Sequence, residues 1–334
     1  MNKIVCGIDV SYKTLEIVFG KGNKYSKSKT FTNDNKGHKV LIKSLNKKKT
    51  THVCIEATGN YHLDISLAIN KVKEIKLIVL NPRISNNYAK ALNQRAKTDP
   101  LDAYVLAHFA QSMNHISWQA PDKTMFAIRA CGRRLTQLTK DKAKLKNRLH
   151  AFGVTEFTPQ IVIDDLKSAI EYLEKQIKNL IKGALEIILN NQQAKEIHKL
   201  ITSISGVADK TAIKLIGEIC VLDPEMKAKQ LVAHAGLYPT TVTSGTSVNK
   251  KSWLSKAGNK YIREAIYMSA LQMSYRNPNV AAYYQHLIKD NGLKKMQAIC
   301  AIMRKLLMSI SCMIRDKTEF NETKFYKMPM TNKN

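Results

Sequence analysis

The sequence predicts an α/β domain built on a mixed sheet, followed by a mainly helical remainder. Three observations predict it. Over residues 1–118, short runs of β-branched and apolar residues alternate with amphipathic helical stretches. From 119 to 196 the apolar period changes to alternating steps of three and four, the signature of long helices. From 197 to 317 helical spacing continues around one polar loop, and residues 318–334 form a polar tail that reads as frayed and flexible.

Taken in order, residues 3–10 and 14–20 read as strands joined by a turn at Ser11-Tyr12-Lys13, and 26–32 as a third strand. An amphipathic helix at 36–47 leads to a strand at 52–56, a helix at 61–72, a strand at 75–80 and helices after Pro82. Three meander strands followed by βα units imply a mixed sheet with covering helices. The stretch 114–121 breaks the pattern and reads as a linker. Two heptad runs follow, Ile128 to Phe152 and Ile163 to Ile187, separated by Gly153 to Pro159. They fit either a self-contained antiparallel hairpin or a coil that dimerises or grips nucleic acid. Ile204-Ser205-Gly206-Val207-Ala208-Asp209-Lys210 has the form of a helix-hairpin-helix turn, with Ala208 where a second glycine is usual; an ordinary helix connection fits equally. A Gly/Ser/Thr/Lys-rich loop spans 236–259, and helices follow at about 260–275, 279–289 and 294–315.

Composition narrows the partner. Lys and Arg total 54 against 26 Asp and Glu, a formal charge of +28. Such a surface favours a phosphate-rich partner with steeply salt-dependent affinity. The basic face of the first heptad run, with Arg129, Arg133, Arg134, Lys146 and Arg148, is a candidate nucleic-acid contact, as are Lys210, Lys250, Lys251 and Lys256. Six scattered cysteines without a Cys-x-x-Cys pair read as thiols of a reducing compartment. With no signal peptide and no apolar run of membrane-spanning length in view, the sequence reads as cytoplasmic, with no membrane partner.

Against that charge, four acids stand out. Asp9 lies in the strand Ile4-Val5-Cys6-Gly7-Ile8-Asp9-Val10, off the face of Ile4, Cys6 and Ile8, and Gly7 leaves room beside it. Glu56 closes the strand His52-Val53-Cys54-Ile55-Glu56, and Asp99 and Asp102 open a helix around Pro100. Singly, each has a structural explanation: Asp99 before Pro100 is a good helix start. Jointly, an early strand Asp, a strand-end Glu and a late helical Asp pair match the ligand order of ribonuclease-H-like nucleases. Bound cations there offset carboxylate repulsion, and two metals can activate attack on a phosphodiester. A second constellation is Thr243-Ser244-Gly245-Thr246-Ser247-Val248 with the lysines that follow; its serine could attack phosphorus or simply touch phosphate.

These motifs together resemble the DEDD transposases of bacterial insertion sequences, the insertion-sequence family one-ten, and the related Piv-type DNA invertases. The matching stretches are Gly7-Ile8-Asp9, Cys54-Ile55-Glu56-Ala57-Thr58-Gly59, Lys97-Thr98-Asp99 through Asp102-Ala103, Ala235-Gly236-Leu237-Tyr238-Pro239, Ser244 to Val248, and Ser255-Lys256-Ala257-Gly258. The resemblance implies a RuvC-like domain whose tetrad is Asp9, Glu56, Asp99 and Asp102, holding Mg2+ (or Mn2+). It implies a coiled coil used for assembly and a C-terminal transposase domain with its serine nucleophile at Ser244. It also implies a recombinase guided by a structured noncoding bridge RNA that pairs with donor and target DNA. Such an enzyme works as a homo-oligomer, a dimer or tetramer, through a covalent serine–DNA intermediate. The alternative is a RuvC-like metal-dependent junction nuclease acting by water attack, with Ser244 only a phosphate contact.

Overall fold

In a computed structural model the described residues are 3–94, 96, 98–244 and 248–328, with backbone alone described at 242, 244 and 248–251. They form two compact units, residues 1–120 and 121–334.

The first unit is built on a mixed sheet with β1 (Ile4–Val10) at its centre. β2 (Thr14–Lys21) runs antiparallel to β1, and the short strands β3 (Lys24–Tyr25) and β4 (Lys29–Thr32) both pair with β2. The strand expected over 26–32 is therefore shortened to β4, and β3 lies ahead of it. Ser26 causes the break: its Oγ accepts the Phe19 amide at 3.1 Å and its own amide donates to the Phe19 carbonyl at 2.9 Å. α1 (Asn35–Lys47) starts where the Asp34 side chain accepts the Gly37 amide. β5 (His52–Glu56) then lies parallel to β1, α2 (Leu63–Ile69) crosses over, and β6 (Lys76–Leu80) lies parallel to β5. α3 (Pro82–Ala91) and α4 (Asp99–Ser112) complete the unit.

Strand alternation sends side chains to two cores. Cys6, Ile8, Val53 and Ile55 pack with Leu41 and Leu45 of α1 and Ile65 and Ile69 of α2. Val5, Cys54, Ile78 and Leu80 pack with Ala103, Leu106, Ala107 and Ala110 of α4. The stretch 114–120 is partly docked, since Trp118 packs on the first of these cores and donates its amide to the Leu77 carbonyl.

The second unit opens with α5 (Lys123–Phe152) and α6 (Gln160–Leu189), which fold back on each other as a hairpin. Leu166, Ile170, Ile177 and Ala184 of α6 are buried, and Lys142 and Lys146 of α5 pair with Glu174 across the seam. Much of the heptad seam is thus used within one chain. The hairpin joins α7 (Gln192–Thr202), α8 (Asp209–Ile219) and α9 (Ala228–His234) in one core with the helices that follow. α5 and α8 approach closely at Gly217, where a Cβ would stand 2.5 Å from the Arg129 Cα.

The stretch 236–259, expected as a loop, instead holds an antiparallel hairpin, β7 (Pro239–Ser244) and β8 (Val248–Leu254). α10 (Lys260–Arg276), α11 (Pro278–Lys289) and α12 (Lys295–Asp316) follow. α12 is long and apolar enough to cross a membrane by length and composition, contrary to expectation. Its Ile302, Leu306, Leu307 and Ile310 are nevertheless buried in the unit's core. Residues 318–328 are mostly exposed but anchored: α13 (Glu322–Phe325) buries Phe325, while Asn277 donates a hydrogen bond to Glu322.

Candidate active site

Asp9, Glu56, Asp99 and Asp102 line one cavity of about 520 Å³ in the first unit. The sheet explains two of them. β1 and β5 are parallel neighbours with Ile8 opposite Ile55, so Asp9 and Glu56 sit side by side at the carboxyl ends of the strands. Both project to the α4 side, as do Val5, Gly7 and Cys54.

Gly7 explains the other two. A Cβ at residue 7 would fall 2.1 Å from the Ala103 carbonyl oxygen and 2.3 Å from the Ala107 nitrogen. The helix backbone therefore rests directly on the strand. This seating delivers the first turn of α4, with Asp99 and Asp102, to Asp9. Gly7→Val should therefore fail in both stability and chemistry. We expect a loss of roughly 3 kcal/mol or more from overpacking against backbone, read as a lower thermal midpoint, with the chemistry of the cavity abolished. A variant as stable and active as wild type would disprove this seating.

The electrostatics of the cavity follow from crowding. Burial, then the charges of Asp102, Asp99 and Glu56, push the Asp9 carboxyl up to about 6. Glu56 is fixed by two hydroxyls: Ser85 Oγ donates to Oε2, and Thr58 Oγ1 donates to Oε1 at 3.2 Å. Ser85, with Asn86 and Lys90, reaches the cavity from α3. The sequence reading missed these three. The available signal was the helix start at Asn81-Pro82, where Asn81 accepts the Arg83 amide, followed by helical spacing to Ser85 and Ala89.

Among the described residues, no three His, Cys, Asp or Glu side chains converge closely enough to hold an ion as they stand. The donor chemistry still fits a hard divalent cation. All four candidate ligands are carboxylates, and their mutual repulsion is what such an ion relieves.

The basic candidates divide. Arg129 and Arg133 turn inward, where Arg133 Nε donates to Glu218 at 2.6 Å and Arg129 Nε lies 3.4 Å from the same carboxylate. Asn259 Nδ2 donates to Glu218 as well, at 2.7 Å. Burial would raise Glu218, but the hydrogen bonds from Arg133 and Asn259 and the two guanidinium charges outweigh it and hold it below its ordinary value. These two arginines thus tie α5 to Glu218 of α8, with 28% and 31% of their side chains still exposed. Arg134 and Arg148 are exposed, and Lys146 is spent in part on Glu174. Lys210 and Lys256 line a separate cleft in the second unit. Ser244 is the last residue of β7, opposite Val248 of β8. Its side chain, residues 245–247 and the side chains of Lys250 and Lys251 lie outside what is described, as does Lys97.

Comparison with known proteins matches two family models to separate stretches of the chain. A DEDD-type IS110 model, described as "Transposase", matches residues 6–157. A second model, "Transposase IS116/IS110/IS902 family", matches residues 198–285. The pilin gene-inverting protein of Moraxella bovis is 29% identical over 330 residues, covering 96% of this chain and 99% of its own length. That of Moraxella lacunata has the same identity and coverage. The insertion element IS110 uncharacterized 43.6 kDa protein of Streptomyces coelicolor is 28% identical over 206 residues, 58% of this chain and 49% of its own.

Proposed function

The chain belongs to the IS110 transposase family and is a DNA transposase or recombinase; from that premise we propose that it exchanges DNA strands through a covalent link between Ser244 and a DNA phosphate, directed by a structured noncoding guide RNA. The observation that carries this reading is the gathering of Asp9, Glu56, Asp99 and Asp102 on one cavity. We read the first unit as RuvC-like, with residues 119–196 serving assembly and 197–317 acting as the transposase domain. The two relatives whose names record gene inversion favour rearrangement of DNA over simple degradation.

In the proposed step, Ser244 Oγ attacks phosphorus. The Oγ–P bond forms as one P–O bond to a neighbouring deoxyribose breaks, and the proton lost from Oγ ends on that sugar oxygen. Attack by the corresponding hydroxyl of another strand reverses the exchange and frees the serine. One phosphodiester is traded for another at each step, so no nucleotide cofactor is consumed. The four carboxylates would hold Mg2+ or Mn2+, which polarises the phosphate when bound. Ser85 and Thr58 keep Glu56 oriented for that role.

Guide binding is supported by the family resemblance and by a charge of +28, which suits RNA and DNA together. Self-association is supported by the hairpin tip, where Phe152, Val154, Phe157 and Ile161 are exposed, Phe157 by 94%. We place this activity in the cytoplasm.

The test is a denaturing gel of labelled DNA incubated with protein, guide RNA and magnesium. Wild type should give a slow, protein-linked band that is absent from Ser244→Ala and present in Ser247→Ala. Normal recombination by Ser244→Ala would overturn the serine step. It would leave a RuvC-like metal-dependent nuclease acting by water attack.

A further inference from the structure

A cleft of about 670 Å³ in the second unit is lined by residues of α5, α8, α10 and α12 and by the base of the β7–β8 hairpin. Five cations reach it, Lys140, Lys210, Lys214, Lys256 and Arg263, against one carboxylate, Glu264. Two of the five are already engaged. Lys140 pairs with Glu264 at 2.6 Å, and Arg263 Nη1 donates to the Ala235 carbonyl at 2.7 Å. Lys210, Lys214 and Lys256 have no ion pair among the described residues, although Lys210 and Lys214 are half-buried. Lys256 also has a left-handed backbone, φ 52°, and its backbone N–H donates a hydrogen bond to the Gly236 carbonyl at 3.1 Å. Three like charges drawn together without partners cost free energy that an anion would offset. An aliphatic floor of Leu254, Met268 and Met303 suits the sugar between phosphates.

We propose that this cleft seats the sugar–phosphate backbone of DNA beside the exchange point, with Lys210, Lys214 and Lys256 on its phosphates. The placement beside the exchange point rests on the reading of Ser244 as nucleophile. Leu254 pairs with Pro239 at the base of the hairpin, and Ser244 lies at the other end of β7. The five steps from Pro239 to Ser244 span roughly 17 Å, so the clamp falls a short way along β7 from the bond that breaks.

Lys214 gives the clamp a signature. Burial first, then Lys210 and Lys140, lower its ammonium to about 8 against the partial opposition of Glu264. Lys256, Arg263, Tyr267 and Cys300 complete the titratable surroundings. Only the protonated amine holds phosphate. Its contribution is therefore present near neutrality and fades as pH rises through about 8, where an ordinary lysine would remain charged.

The experiment is fluorescence anisotropy with the full chain, a labelled DNA duplex and a structured RNA, at several salt concentrations. Lys214→Met should fold, since it removes a half-buried charge, and thermal melting checks this. We expect it to bind duplex about tenfold more weakly at pH 7, with a salt slope smaller by about one, and to bind RNA as wild type does. Wild-type affinity for duplex should fall between pH 7 and 9 more steeply than that of Lys214→Arg, which stays charged. Lys210→Ala, at a less buried position, should show the same loss at pH 7. Unchanged affinity and slope in both Lys214→Met and Lys210→Ala would overturn the proposal, as would a loss confined to RNA. Binding needs no bond cleavage, so this readout does not depend on the serine step. A failed serine step would show in the gel and leave this binding result standing.

Discussion

Asp9→Asn should lose strand exchange by about a hundredfold or more while the protein still binds DNA and RNA. Asparagine keeps the size of the side chain but removes the charge that a divalent ion needs, and such an ion supplies several kcal/mol of charge stabilisation at a transferring phosphoryl group. On the proposed reading binding rests on lysines and arginines elsewhere, so it should be unchanged or slightly tighter without a carboxylate facing the phosphates. The measurement pairs a recombination assay with anisotropy on the same preparations. Wild-type recombination by Asp9→Asn would remove the acidic cavity from the chemistry, whereas a fall in binding equal to the fall in recombination would assign Asp9 to DNA contact alone.

The largest effect on stability is expected at Glu218, whose side chain is only 3% exposed. Glu218→Ala leaves Arg129 and Arg133 facing each other between α5 and α8 and strips Asn259 of its acceptor. Breaking a buried pair from one side costs about 3–5 kcal/mol. In a unit of this size that lowers the thermal midpoint by roughly 10 °C. The first unit has its own core, so a melt followed by hydrogen exchange should show the loss in residues 121–334. A midpoint within a degree of wild type would show that the arginines find other partners.

How much could be read beforehand depended on whether the cause was local. β1, β5 and β6 announced themselves by runs such as Ile4-Val5-Cys6 and Val53-Cys54-Ile55, because a strand buried on both faces must be apolar throughout. The four acids were legible for a related reason: strand and helix ends are marked in sequence, and these residues stand at them. The β7–β8 hairpin was not legible. Its strands, Pro239–Ser244 and Val248–Leu254, are mostly Thr, Ser, Asn and Lys, without an alternating apolar face.

Long-range partners were hidden as well. Arg129 and Arg133 look like any other members of a basic run until Glu218 arrives from α8, and Phe320 and Phe325 look like tail residues until helices α11 and α12 give them a surface. Ser85 was invisible because its role, holding Glu56, is defined across two elements. The resemblance to transposases supplied the order of the motifs. It carried no information on which cations turn inward.

The direct seating of α4 on β1 at Gly7 has a consequence for inheritance. Every other amino acid would place a Cβ 2.1 Å from the Ala103 oxygen, so the position admits no conservative replacement. In a saturation scan of the gene, the codon for residue 7 should tolerate third-base changes, all of which still encode glycine, and reject changes at the first two bases. The spacing of the acidic cavity is in this sense written in the absence of a side chain, and mutational drift cannot adjust it by degrees.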